Sequence, residues 1–220
     1  MAKTLLDLLT SLSYRLAEDS VPSDSSERAR RVRFINEGYR NLISRYPFRF
    51  TEASTTDDTV ANQEAYILPS DFRLPVEIRV DNLLYTPVQL KEVFGIYNNA
   101  WPAFNYDTFL SDRHYYIYAN EIHLLPVPSA NGTDNIAIKY LKFPTEATVD
   151  ASTFIIPDFW LDAIVAYAYA RICMLDDLRG NASDGMTEFE EMYKQMVAED
   201  NRRKFFKQAS RPVSPDTLLE

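Results

Sequence analysis

The chain has little of what catalysis or redox chemistry draws on: its 220 residues include one cysteine, two histidines and five glycines. A single cysteine excludes a disulfide framework and a thiolate metal site, and it fits a reducing compartment. Cys173 stands between Ile172 and Met174, surroundings that favour inert packing over an activated nucleophile. With so few glycines there is no Gly-x-Gly-x-x-Gly, no phosphate loop ending in Gly-Lys-Ser/Thr and no Gly-x-Ser-x-Gly elbow, and a His-Glu-x-x-His helix is also absent. His114 and His123 both fall in predicted strands, and no carboxylate stands at a ligand-like spacing from them. The pairs Asp176-Asp177 and Glu190-Glu191 are adjacent on predicted helices, so their side chains diverge and read as solvated faces rather than acid/base pairs. Neither an enzymatic activity nor a cofactor or metal is expected.

Long apolar runs are missing too, and none approaches the ~18 residues that a membrane span requires. The N-terminal stretch MAKTLLDLLTSLSYRLAEDS is interrupted by polar residues and followed by no small-residue cleavage site, so it reads as a helix of a soluble, cytoplasmic fold.

What the chain does have is aromatics and unevenly placed charge. Fourteen Tyr and thirteen Phe point to extensive sheet or contact surface. The net charge of −9 is not spread evenly: residues 50–156 carry six basic and fourteen acidic side chains, residues 24–46 six and three, and residues 201–220 five and two. An acidic middle is thus flanked by basic segments.

Leu5, Leu8, Leu9, Leu12 and Leu16 recur at helical spacing and predict a first helix over 3–18. Asp24, three residues before Glu27, opens a second in capping-box fashion, with a stripe of Val32, Ile35, Tyr39, Leu42, Ile43 and Tyr46 and a stop at Pro47. Arg28, Arg30, Arg31, Arg33, Arg40 and Arg45 occupy its other positions. Seven short segments follow, FRFTEAST, EAYILP, VEIRVDN, LLYTPVQL, HYYIYAN, EIHLLPVP and NIAIKYLKF, rich in β-branched and aromatic residues. Asp81-Asn82 and Asn120-Glu121 are read as hairpin turns. Pro157 begins a third helix with an apolar stripe through Trp160, Leu161, Ile164, Val165, Ala168, Ile172 and Leu175, expected to be the most buried. Arg179-Gly180-Asn181 reads as its close and Ser183 as the cap of a last helix carrying Met186, Phe189, Met192, Tyr193 and Met196 toward Phe205.

These elements predict an α+β fold: a helical bundle of N- and C-terminal helices (1–48 and 157–208), an inserted, mainly antiparallel β domain (49–156), and an extended C-terminal arm (209–220) with two prolines.

Two basic segments are candidates for binding. In NRRKFFKQASR, Arg202, Arg203, Lys204, Lys207 and Arg211 interleave with Phe205 and Phe206, a pattern suited to a partner's groove with acidic rims. The plainer reading is a helix end whose cations complement its dipole. The arginines of the second helix are read first as inter-subunit salt bridges to the acidic β block. DNA binding is the weaker reading, because the chain as a whole is acidic.

The helix end RFINEGYRNLISRYPFRF, the β entry TEASTTDDTVANQEAYILPSDFRLPVEIRVDN and the late helix PDFWLDAIVAYAYARICM resemble, in order, the head-to-tail adaptor proteins of tailed phages. Tyr66, Ile67, Leu68, Pro69, Ser70, Asp71 and Phe72 carry the family's Tyr-apolar-Leu-Pro-x-Asp-Phe pattern. The resemblance implies a structural virion protein at the head-tail junction, assembled in the host cytoplasm. It implies a homo-oligomeric ring of twelve copies between the portal protein and tail or nozzle proteins, with DNA passing through its channel during genome ejection. It also implies a C-terminal segment that clamps the portal, here Arg202, Arg203, Lys204, Phe205, Phe206, Lys207 and Arg211. The alternative is a nucleic-acid-binding accessory protein using the basic helix and tail.

Overall fold

The computed structural model describes residues 2–89 and 113–209, with side chains as far as Arg202. The chain divides into two compact units, one made of Met1–Thr51 and Phe143–Glu220, the other of Glu52–Lys142.

In the helical unit, α1 (Leu5–Arg15) opens on a capping box in which Thr4 and Asp7 each accept from the other's backbone N–H. Helix α2 (Ser25–Arg45) starts from Asp24, whose carboxylate accepts from the N–H groups of Ser26 and Glu27. Glu27 does not complete a box there; its carboxylate pairs with Arg30 and Arg31 instead. A 3-10 turn at Asp158–Trp160 follows Pro157, and α3 (Leu161–Leu175) begins one turn later than the proline alone indicates.

Ten of the fifteen residues of α3 are buried, and it packs against α1, α2 and the last helix, α4 (Arg179–Ala209). Its many alanines allow close approach: a Cβ at Gly38 of α2 would lie 2.9 Å from Tyr167, and one at Gly185 of α4 would lie 3.0 Å from Ala170. The core is completed by the leucines of α1, by Ile35, Tyr39, Leu42 and Ile43 of α2, and by Phe189 and Met196 of α4. Burial pushes the Tyr39 hydroxyl up to about 12, against the bond it accepts from the Ile155 N–H.

Four expectations for this unit are corrected. Arg179-Gly180-Asn181 does not close α3, and Ser183 is not a cap: α4 runs unbroken from Arg179. The break falls at Asp177, which takes the left-handed conformation at φ 59° while the Leu178 N–H bonds the Cys173 carbonyl. That is the geometry usually given to glycine, so an aspartate there hides the signal. For the same reason Asp176 and Asp177 form a corner rather than a helix face. Leu175, placed in the buried stripe, is exposed because this corner carries it past the last packed turn. Arg31, placed among the outer positions of α2, is 2% exposed.

The segment after the β unit is tied to α2 by Asn36. Its amide donates to the Ala147 carbonyl and accepts from the Ala147 N–H, both at 2.9 Å and both buried. Asn36→Ala is expected to cost about 2 kcal/mol by leaving those two backbone groups without partners. A downward shift of the urea midpoint at unchanged slope would show it.

The β unit holds β1 (Glu52–Thr59), β2 (Ala65–Ile67), β3 (Phe72–Val80), β4 (Leu83–Pro87), β5 (His114–Tyr118), β6 (Glu121–Leu125) and β7 (Gly132–Lys142). They form one curled sheet in the order β1-β7-β3-β4-β5-β6-β2. All pairings are antiparallel except the short parallel pair of β4 with β5. Residues from both halves, Ile78, Val80, Ile136 and Ile138 with Tyr66, Tyr115, Ile122 and Leu124, share one core, which is what curling the sheet achieves.

Both hairpins form. Val80 pairs with Leu83 across Asp81-Asn82, and Tyr118 with Glu121 across Ala119-Asn120. All four turn residues have positive φ, the type I′ geometry that suits strand twist. The second turn is one residue earlier than predicted, since Asn120 serves as its second residue. The FRF of the first segment is not strand: Arg49–Thr51 is a 3-10 turn.

Candidate interaction surfaces

The Tyr66-to-Phe72 pattern is a structural knot rather than a site. The buried Tyr66 hydroxyl accepts from the Val60 N–H and donates to the Gln63 carbonyl, pinning the β1–β2 connection. Asp71 accepts the Tyr140 hydroxyl at 2.9 Å, and Phe72 stacks on the Tyr140 ring.

His114 and His123 lie on the same face of β5 and β6 but are held apart. The Nδ1 of His114 meets the Thr86 hydroxyl at 2.8 Å, while His123 stacks on Tyr116 with Glu64 3.4 Å from its Nδ1. Among the described residues no group of three or more His, Cys, Asp or Glu side chains is arranged to hold a metal. Cys173 is buried. Glu190 is taken up by Arg45, whose guanidinium also lies 4.7 Å over the Tyr193 ring.

Five of the six α2 arginines have acid partners inside their own subunit. Arg28 pairs with Asp150, Arg30 with Glu27, Arg40 with Glu146 and Arg45 with Glu190, all within the helical unit. Arg31 is bound by Glu27 at 3.0 Å, Glu18 at 2.7 Å and the Ser13 hydroxyl at 3.0 Å. Bridges from these five arginines to a neighbouring subunit's β block would have to displace partners they already have. Glu146 and Asp150, from the acidic stretch, fold against α2, while residues 52–142 keep twelve acidic and six basic side chains. These mostly exposed pairs stabilise little individually; their consequence is that α2 offers few spare cations to phosphates.

Two regions of the helical unit stand out among the described residues. At the α3–α4 corner, Met174, Leu175 and Leu178 are 48%, 60% and 51% exposed. Behind them an open groove of about 560 Å³ is lined by Met174, Ala182, Met186, Glu190 and Lys194. At the other end of α4, Arg202 is exposed; Arg203, Lys204, Phe205, Phe206 and Lys207 lie on the helix, and Arg211, with most of the predicted arm, lies outside the described residues.

The chain matches the model of the family described as SU10 adaptor protein over residues 3–216. The chain belongs to that family. No curated protein matches it. The SU10 adaptor family is a phage head-to-tail adaptor family, so this adaptor is a structural component of a phage virion, associated with portal and tail components. None of the helices among the described residues is long and apolar enough to cross a membrane.

Proposed function

We propose that this adaptor forms a ring of twelve copies between the portal and the tail or nozzle proteins, each subunit contributing its four helices as one bundle, and that DNA passes through the central channel. The observation that carries the reading is the family match from residue 3 to residue 216, which takes in both units and most of the C-terminal segment. Twelve acidic and six basic side chains over residues 52–142 would let a polyanion pass the β unit without adhering. The portal attachment lies within the C-terminal segment containing Arg202, Arg203, Lys204, Phe205, Phe206, Lys207 and Arg211.

Native mass spectrometry of the full chain, alone and with the portal of the same virus, tests this. A ring-sized complex on the portal is expected, and a monomer indifferent to the portal would refute it. Deleting residues 201–220 is expected to leave a folded subunit that no longer attaches. Retention of portal binding by the truncated chain would sink that assignment. DNA affinity falling steeply with salt would instead support the nucleic-acid-binding alternative.

A further inference from the structure

Helix α4 is one rod of 31 residues from Arg179 to Ala209, and its two ends differ in charge. Residues 174–184, around the corner that precedes and opens it, carry Asp176, Asp177 and Asp184 against Arg179 alone. The exposed Met174, Leu175 and Leu178 stand among these carboxylates. Residues 201–209 at the far end carry Arg202, Arg203, Lys204 and Lys207, no acid, and the pair Phe205-Phe206. Apolar surface among carboxylates finds complementary residue types in a segment whose sequence combines aromatics with cations, and methionine is well suited to take aromatic rings.

These two surfaces cannot meet within one subunit. From Arg179 to Phe205 along a continuous helix is about 40 Å, at ~1.5 Å per residue. Five of the six arginines of α2, the other concentration of cations, already have acid partners in their own unit: Asp150, Glu27, Glu18, Glu146 and Glu190.

We infer that residues 201–209 of one copy dock on the α3–α4 corner of a second copy, leaving Arg211 and the residues after it for the portal. The inference rests on the ring reading and narrows its portal contact. Each copy then presents one corner and one basic end, a heterologous contact whose repetition closes a ring, with α4 running along the circumference.

Charge reversal tests it in the full chain mixed with the portal of the same virus. Asp176→Lys with Asp184→Lys leaves the left-handed Asp177 in place, and both positions are exposed. This pair, and separately Arg202→Glu with Arg203→Glu, should each weaken subunit association by about tenfold or more, with circular dichroism unchanged. Combining all four substitutions should restore assembly. Leu175→Ser with Leu178→Ser should weaken it without altering charge.

If the corner variants assemble like wild type, or the four-fold reversal restores nothing, the contact is wrong while the ring stands. If the Arg202 and Arg203 variant loses the portal but the corner variant keeps full assembly, residues 201–209 belong to the portal instead. A wild-type chain that never assembles on the portal overturns the ring reading itself.

Discussion

Replacing Phe48 with alanine is expected to destabilise the helical unit by about 3–5 kcal/mol, the cost of deleting a fully buried aromatic side chain that its surroundings cannot collapse to fill. Phe48 is 0% exposed. Its ring lies 4.8 Å from Tyr46, is stacked at 4.9 Å on Phe50, and meets Tyr193 of α4 edge-on at 6.3 Å. The residue therefore fastens the end of α2 to α4 at the point where the chain leaves the helical unit for β1. Thermal or urea unfolding measures the loss. Phe48→Leu, which keeps most of the apolar volume, should recover more than half of it; a loss of under 1 kcal/mol for alanine would show that the aromatic cluster closes over the gap.

Arg31→Leu is expected to cost about 3 kcal/mol near neutral pH, because it strips a buried fork of donors from Glu27, Glu18 and the Ser13 hydroxyl at once. Arg31→Lys should fare little better, since an ammonium cannot serve three acceptors in the guanidinium's fixed plane. The effect should depend on pH with a definite sign. Burial pushes the Glu27 carboxyl up, but hydrogen bonds from Arg30 and Arg31 outweigh it and leave the group below its usual value of 4.5. A carboxylate depressed in the folded state contributes stability above its unfolded value, and that stability is lost as pH falls through the folded value. The difference between wild type and Arg31→Leu should therefore be full at pH 7 and shrink below about pH 4. Chemical denaturation at both pH values checks it, and an equal gap at the two would detach the effect from the carboxylates.

Local chemistry made much of this fold legible. The leucine spacing of α1, Asp24 ahead of α2, the seven β-rich segments and the asparagine-bearing turns all act within a few residues of themselves, and the structure has a helix, a cap, a strand or a hairpin at each. The misreadings share another cause. Asp177 occupies a left-handed corner that glycine would have advertised, so the break between α3 and α4 reads a few residues late, at residues 179–183. The α2 arginines looked like an outward face because their acids, Asp150, Glu146 and Glu190, are more than a hundred residues away in the chain. Asn36 carried no signal, because an asparagine that pairs with a distant backbone is indistinguishable in sequence from one in solvent.

Taken alone, the sequence determined that the chain is α+β, that it lacks familiar catalytic and cofactor motifs, and that it resembles phage head-to-tail adaptors. Periodicity, turn chemistry and residue inventory are local properties and need no partner to be read. Only the tertiary structure decided where the charges end up: which arginines are spent inside the subunit, that Arg31 is buried, and that α4 separates an acidic apolar corner from a basic end. Those outcomes depend on groups that only folding brings together, from Ser13 and Glu18 against Arg31 to Asp150, Glu146 and Glu190 against α2, and such pairing is set by packing of the whole core rather than by any segment's own preference.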